Sequence, residues 1–234
     1  MLRKRMFYGI LFFICCVTAV EANQKGLTTD QVLADIKQKT DNVKTIITIE
    51  RTRYYQGVNN NNFIYKKIWA QKPNILRTET NADNVQSVYI LDGQFLWSYE
   101  VGREKILKRP YDTSQVLSFC FADNLKKNAG FEGGLFYVRK DMIGENEVYL
   151  IEHRSHQIVS ESFEDHQERS VHEFIIAYYI RVADGLEMKH YIYDSKRKPI
   201  RSVEYESYQV NVNIPREIFT LSIPEGAQVV ESFL

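Results

Sequence analysis

Residues 63–99 read FIYKKIWAQKPNILRTETNADNVQSVYILDGQFLWSY, with aromatic and β-branched side chains crowded into four short runs. Turn-forming residues separate the runs at positions 72–74 (KPN), 81–84 (NADN) and 92–93 (DG). The Asp-Gly pair is the strongest turn signal, because a two-residue hairpin turn needs a positive φ at its centre. This stretch therefore predicts a four-stranded antiparallel meander.

Large aromatic side chains are concentrated in this meander. Both tryptophans of the chain, Trp69 and Trp97, lie here, and Phe95 and Tyr99 stand at strand spacing on either side of Trp97. Aromatic side chains carry a large apolar surface that folding removes from water. We therefore expect this part of the sheet to face a packed core or a cavity.

The rest of the chain predicts two helices and further strands. Thr28, Thr29 or Asp30 can cap a helix that runs to about Asn42, since apolar residues recur there at helical spacing. The polar segment 155–170 shows no convincing period, and it is interpreted as a long loop or a poorly packed helix. Strands are expected from about residue 46 to 55 and over residues 105–108, 135–140, 147–153, 171–182, 186–194 and 200–212, with a second Asp-Gly turn at 184–185.

A second helix is predicted after Asp112, and apolar side chains surround much of its circumference. A helix that packs one stripe on a sheet needs fewer apolar residues than this segment carries. The pattern fits either an ordinary core helix or a lid that closes a cavity. Its apolar residues are Val116, Leu117, Phe119, Cys120, Phe121 and Leu125.

The amino terminus has the pattern of a secretory signal peptide. Basic residues 3–5 precede an apolar run over residues 6–20, and Ala22 supplies a small residue at the expected cleavage point. The run is shorter than the roughly 20 apolar residues of a membrane-spanning helix, although a retained anchor is the alternative. Neither Cys15 nor Cys16 follows the small residue that lipid modification requires. We therefore expect a signal peptide over residues 1–22 and one soluble periplasmic domain over residues 23–234.

Charge and motif content argue against several classes of function. The 30 Lys and Arg residues balance 30 Asp and Glu residues, whereas a nucleic-acid binder carries a concentrated basic excess. The chain has no Gly-rich phosphate loop, no G-x-S-x-G and no H-E-x-x-H motif. Cys120 lies among apolar residues of the predicted second helix, which is typical of an inert buried thiol. We expect no enzyme activity, no cofactor and no nucleic-acid partner.

Four histidines stand close together in the sequence, but their spacing fixes no metal geometry. Two of them lie near predicted strand ends and the others lie in the polar segment. We therefore expect no metal site. The histidines are His153, His156, His166 and His172.

Three blocks of sequence resemble the periplasmic lipoprotein carriers of the LolA type. They are Trp69-x-x-Lys-Pro-Asn74, Asp92-Gly-x-x-Leu-Trp-x-Tyr99 and Phe219-x-Leu-x-Ile-Pro-x-Gly-Ala-x-Val229, in the order and roughly at the spacing of that family. The resemblance implies an α+β, mainly β fold, in which a curved, half-open, barrel-like antiparallel sheet is closed by helices.

The resemblance also implies a function. Such carriers shield the acyl chains of lipoproteins in an apolar cavity, receive them from an inner-membrane release complex and deliver them to an outer-membrane acceptor. We expect a monomer whose ligand-binding residues are Trp69, Phe95, Trp97, Tyr99, Val116, Leu117, Phe121 and Leu125. Well-known family members have Arg before the proline of the first block, where it helps to hold the lid closed. Lys72 takes that place here, and lysine lacks the planar donor fork of arginine.

Two other functions fit the same fold. One is a periplasmic sensor or regulatory module, although sensors of that type usually carry a second domain. The other is a carrier of free lipid or glycolipid, since an apolar cavity recognises only the acyl chains.

Overall fold

The computed structural model describes residues 26–55, 63–82, 85–112, 119, 134–163 and 166–231, without the side chains of residues 155–172. It contains one α-helix, α1 (Thr29–Thr40), and one 3-10 helix, η1 (Arg216–Phe219), within that part of the chain. No helix in these ranges is long and apolar enough to cross a membrane. The strands are β1 (Thr45–Tyr54), β2 (Phe63–Gln71), β3 (Ile75–Ala82), β4 (Val85–Asp92), β5 (Phe95–Glu100), β6 (Lys105–Pro110), β7 (Leu135–Ile143), β8 (Asn146–Phe163), β9 (His166–Arg181), β10 (Glu187–Asp194), β11 (Pro199–Val210) and β12 (Gln228–Glu231).

Helix α1 begins with a reciprocal capping box. The Thr28 amide donates to Gln31 Oε1 at 2.9 Å, and the Gln31 amide donates to Thr28 Oγ1 at 3.3 Å. Val32 and Ile36 are fully buried on one side of the helix, where they pack in one cluster against residues of two strands, β8 and β9. The predicted helix and its apolar face are confirmed. The strand residues of the cluster are Tyr149, Ile151 and Ile180.

All twelve strands form one curved sheet in the order β12-β6-β5-β4-β3-β2-β1-β11-β10-β9-β8-β7. Every neighbouring pair is antiparallel except β12 and β6, which run parallel. The four-stranded meander of residues 63–99 forms as predicted, as β2 to β5. The prediction of a curved, half-open antiparallel sheet is confirmed.

The two faces of the sheet carry different layers. Residues paired across neighbouring strands project to the same face, so the strand registers assign each side chain to one face. We call the face that α1 covers the helix face, and it includes Tyr149 and Ile151. The η1 face is the opposite one, on which η1 and the segment before it pack against Ile47, Trp69 and Ile75.

Segment 155–170 is not a loop or a helix, and that prediction is wrong. Strands β8 and β9 run through it and pair from Ser155 opposite Phe174 to Phe163 opposite His166. The ladder of β7 with β8 stops at the pair Leu135–His153, and that of β10 with β9 stops at the pair Asp194–Phe174. The described ladders thus leave this two-stranded ribbon projecting beyond the sheet. In this ribbon the described ladders pair β8 only with β9, so the strands follow from backbone pairing, which the period of the sequence does not report.

Candidate functional site

The four aromatic residues predicted to bind ligand lie on the η1 face, opposite α1. Trp69 pairs with Arg77, which pairs with Ile90, and Ile90 pairs with Trp97, so this row shares one face. Phe95 and Tyr99 occupy the same face because they stand two residues before and after Trp97.

Trp69 belongs to a core rather than to an open surface. It is 9% exposed and packs against Ile214 and Phe219 of the carboxyl-terminal segment, with Lys67 Nζ 4.6 Å from its ring centroid. Trp97 faces a groove of about 740 Å³ between the sheet and that segment. The groove is lined by both apolar and polar side chains, among them Ile75, Asp92, Arg216 and Leu221. A ligand role for these aromatic residues remains a prediction.

The turn between β4 and β5 fixes the position of Trp97. Trp97 Nε1 donates to Asp92 Oδ2 at 2.8 Å, and Asp92 Oδ1 accepts from the amides of Gln94 and Phe95 at 2.9 and 2.8 Å. Burial alone would raise the pKa of Asp92, but these hydrogen bonds and the charge of Lys108 outweigh it and hold the pKa below the ordinary value of 3.8. The Lys108 ammonium lies 4.1 Å from the Phe95 ring centroid.

The helix face carries a partly exposed apolar area on strands β2 to β6 and β12. Tyr89, Leu107 and Val230 are 43%, 50% and 38% exposed, although all three occupy this face. Helix α1 packs at the other end of the sheet, and no helix of the described ranges packs here. The residues of this area, which we call the apolar half of the helix face, are Ile68, Leu76, Tyr89, Leu91, Leu96, Leu107 and Val230.

The same face becomes polar towards the carboxyl end of β1. Lys66 Nζ lies 2.9 Å from Glu50 Oε1, and His190 Nδ1 lies 2.5 Å from Glu187 Oε1. A groove of about 400 Å³ is lined by Glu50, Lys66, His190 and Arg201. Glu187 lies beside the groove through its contact with His190. The groove also has apolar walls, which are formed by Ile64, Val203, Tyr54 and Tyr205.

Lys72, the predicted lid latch, contacts the end of α1 and one residue of the predicted second helix. Its Nζ lies 3.5 Å from the carbonyl oxygen of Asp41 and 5.4 Å from the centroid of the Phe119 ring. Phe119 in turn packs on the cluster of Val43, Ile46 and Leu186. The geometry suits a contact between the β2–β3 turn and the segment predicted to form the lid.

The remaining predicted residues lie outside the described ranges. These are Val116, Leu117, Phe121 and Leu125, with Cys120. His153 is described, and it is buried inside the sheet with a pKa lowered by that burial. No group of His, Cys, Asp or Glu side chains among the described residues could hold a metal ion.

Sequence reasoning missed the apolar half of the helix face. Tyr89 and Leu107 looked like ordinary strand residues, and only the position of α1 distinguishes their face from the one that carries the tryptophans. The strand register was accessible from the Asp92-Gly93 turn, because alternation fixes which residues share a face. Which face the helix would cover had no local signal.

Comparison with known proteins shows that this chain shares its fold with solved structures, and it shows no relationship at the level of sequence. No protein-family model and no curated protein matches the chain. An uncharacterized conserved protein from Thermus thermophilus has a TM-score of 0.56 and 12% identity, with 87% of this chain and 98% of that chain aligned. This likeness shows a common fold.

Other structural neighbours are more distant. MucB of Pseudomonas aeruginosa, solved in complex with MucA, aligns over 85% of this chain and 62% of that chain, with a TM-score of 0.47 and 11% identity. A LolA superfamily protein from Nitrosomonas europaea aligns over 84% of this chain and 99% of that chain, with a TM-score of 0.36 and 8% identity. The chain thus spans less than two thirds of MucB.

Proposed function

We propose that the protein is a carrier that binds acyl chains on the apolar half of the helix face and has no catalytic activity. In this proposal the cargo is a lipoprotein whose acyl chains are shielded while it crosses the periplasm from the inner to the outer membrane. The inner-membrane release complex and the outer-membrane acceptor are the partners that the sequence resemblance implies.

The exposed apolar side chains of Tyr89, Leu107 and Val230 on the helix face are the observation that supports this proposal. Tyr89 and Leu107 remain about half exposed on a face whose other end is buried under α1. Contiguous apolar surface left open to water marks a site for an apolar partner. Each methylene group of an acyl chain moved from water to such a surface contributes about 0.8 kcal/mol.

The contact between Lys72 and Phe119 supports a lid over this site. Phe119 packs on the cluster that includes Ile46, and Ile46 shares a row with Ala70, Leu76 and Leu91 on the helix face. The predicted second helix therefore has an anchor point at the edge of the apolar half. Its apolar residues Val116, Leu117, Phe121 and Leu125 would contact the cargo from the other side.

A diacylated peptide and the same peptide without acyl chains test the proposal directly. Full-length protein should bind only the acylated peptide in a fluorescence titration. Leu107→Ser and Tyr89→Ser should each weaken binding about tenfold, because each removes on the order of 1.5 kcal/mol of apolar contact.

Phe136→Ser is the matched control. Phe136 is 52% exposed on the η1 face, so its replacement removes a comparable apolar group from the opposite side of the sheet. The proposal fails if the wild type does not bind the acylated peptide, or if Phe136→Ser weakens binding as much as Leu107→Ser. A fourth variant, Trp97→Ala, tests the predicted aromatic site, since loss of binding in that variant alone would move the cargo to the η1 face.

A row of tyrosines on the η1 face supports a second candidate, a regulatory module that binds a protein. The Tyr191 ring contacts those of Tyr179 and Tyr193 at centroid distances of 6.2 and 5.8 Å, and Lys189 Nζ lies within 5.3 Å of two of them. Tyrosine is enriched at the centres of protein interfaces. Crosslinking in cells should then give one specific adduct that Tyr191→Ser abolishes and that Leu107→Ser leaves intact.

A further inference from the structure

The helix face is graded from apolar to charged along the direction of the strands. The row that includes Ile46 carries Ala70, Leu76 and Leu91 on neighbouring strands. Eight residues later on β1, the row that includes Tyr54 carries Arg201. At about 3.3 Å per residue, the two rows are roughly 26 Å apart.

Arg201 is a charge at the polar end for which the described residues provide no ion-pair partner. Its Nε atom is buried without a hydrogen-bond partner, and no ion pair joins its guanidinium to a carboxylate of the described residues. Arg201 as a whole is partly exposed, so only this part of the guanidinium is withdrawn from water, and a buried donor without an acceptor is costly. Arg53 also has a buried Nε without a partner, but its guanidinium lies over the rings of Tyr55 and Phe63 on the other face.

The neighbouring charges of the groove already have partners. Lys66 is paired with Glu50, and Thr52 Oγ1 also donates to that carboxylate at 3.3 Å. Glu187 is paired with His190. Among the described side chains that line the groove, Arg201 is the positive charge without an ion-pair partner, and it lies beside the apolar walls that Val203 and Tyr205 provide.

We propose that the groove at Arg201 binds the anionic headgroup of an acyl lipid whose chain extends along the helix face towards Leu76. A carboxylate or a phosphate would accept hydrogen bonds from the guanidinium fork, and such charge-assisted bonds are roughly twice as strong as neutral ones. This inference rests on the proposed acyl-chain site and specifies the chemistry of its ligand. According to this inference, a negatively charged amphiphile binds more tightly than an acyl lipid without a charged headgroup.

Two lipids with the same single acyl chain test this inference. Lysophosphatidic acid carries a phosphate headgroup and a monoacylglycerol carries none, and both are titrated into delipidated full-length protein below their micelle-forming concentrations. The wild type should bind the anionic lipid at least about tenfold more tightly, as expected for one charge-assisted contact in a partly buried groove. The preference should shrink between about 50 mM and about 500 mM salt, because ions screen the headgroup charge.

Arg201→Gln should abolish the preference while leaving monoacylglycerol binding unchanged, and Arg201→Lys should retain part of it. Arg109→Gln is the matched control. Arg109 occupies the same face, but it pairs with Leu96 in the row of the apolar end, so this variant removes an equal charge far from the groove. It should keep the full preference.

The outcomes separate the inference from the proposed function. Equal binding of both lipids by the wild type overturns the headgroup site and leaves the acyl carrier intact, whereas binding of neither lipid overturns both. Displacement of lysophosphatidic acid by inorganic phosphate at equal concentration would identify a free-anion site and overturn the inference. If Arg201→Gln does not fold, the headgroup preference of the wild type and its salt dependence still decide.

Discussion

The ammonium of Lys72 lies 5.4 Å from the centroid of the Phe119 ring, at the carboxyl end of helix α1. The same ammonium approaches the carbonyl oxygen of Asp41, just after the helix, where a positive charge complements the helix dipole. One lysine thus contacts both α1 and the segment predicted to form the lid.

We expect Lys72→Leu to loosen that segment and Lys72→Arg to keep or tighten it. The cation–π contact contributes about 0.5–1 kcal/mol at an exposed site, so its loss should raise amide exchange over residues 112–127 a few fold. Arginine preserves the charge and the contact with the ring. Hydrogen exchange followed by mass spectrometry measures the difference.

Lys67→Leu serves as the control for this prediction. Lys67 Nζ lies 4.6 Å from the centroid of the Trp69 ring, so the substitution removes a contact of the same kind from the η1 face. Equal exchange over residues 112–127 in all four proteins would mean that Lys72 is only a turn residue before Pro73.

Gly185 allows the β9–β10 turn to approach the helix. Its φ is +72°, and a Cβ atom at this position would lie 2.9 Å from the carbonyl oxygen of Ile36 and 3.2 Å from Thr40 Cγ2. Gly185→Ala should therefore lower the free energy of unfolding by about 2 kcal/mol or more, because it adds a backbone clash to an unfavourable φ. Urea denaturation gives the difference.

Gly144→Ala separates the two contributions. Gly144 has a φ of +57° but nothing within 4 Å of its added Cβ, so its replacement carries the conformational cost alone, about 1 kcal/mol. An equal loss in the two variants would show that the turn does not press against α1.

Local signals explain which parts of the fold could be predicted from the sequence. The Asp92-Gly93 turn forms where the sequence placed it, because Gly93 takes a φ of +100° that other residues avoid. The start of α1 at Thr28 likewise depends on a cap that involves only residues three apart. Signals of this kind are contained within a few residues, so they are readable without the tertiary structure.

Features that depend on contacts between distant parts of the chain could not be predicted from the sequence. Trp97 was expected to face a core or a cavity, and it lies at a groove on the face that α1 does not cover; nothing near it in sequence specifies that face. The parallel pairing of Val229 with Ile106 joins residues more than a hundred positions apart. Arg201 stands between Ile200 and Ser202 in the sequence, and only the pairing of β1 with β11 places it beside Tyr54 in the groove.

The hydrogen bonds to Asp92 predict a dependence of stability on acid pH. Because the pKa of Asp92 is lower in the folded protein than its ordinary value of 3.8, the ionised carboxylate stabilises the fold above that value, and this contribution is lost as the pH falls through the folded pKa. Asp92→Asn should unfold at lower urea concentration than wild type at pH 6, but it should lose less stability on acidification to pH 3. Tryptophan fluorescence follows both transitions.

Glu145→Gln is the control for this measurement, since Glu145 is exposed in the β7–β8 turn. It should keep the acid dependence of the wild type. If Asp92→Asn also keeps it, then the Asp92 carboxylate does not contribute through its ionised form.

The burial of His153 predicts a second loss of stability, at higher pH than the loss caused by protonation of Asp92. The side chain is 8% exposed, and it lies between Leu135 and Ile176 of the neighbouring strands. Burial disfavours the imidazolium and lowers the pKa of His153 below its ordinary value of 6.5. The neutral ring is therefore the form that fits the folded sheet.

The sign of the effect follows from this shift. Below pH 6.5 the unfolded chain binds a proton at His153 more readily than the folded chain does, so the stability present above that pH is lost as the pH falls through the folded pKa. His153→Phe keeps a ring of similar size without a titrating group. We expect the unfolding midpoint of the wild type to fall between pH 8 and pH 5 by more than that of His153→Phe. Arg154→Gln, an exposed neighbour on the same strand, should behave as the wild type, and an identical pH dependence in all three proteins would mean that His153 takes up its proton without disturbing the sheet.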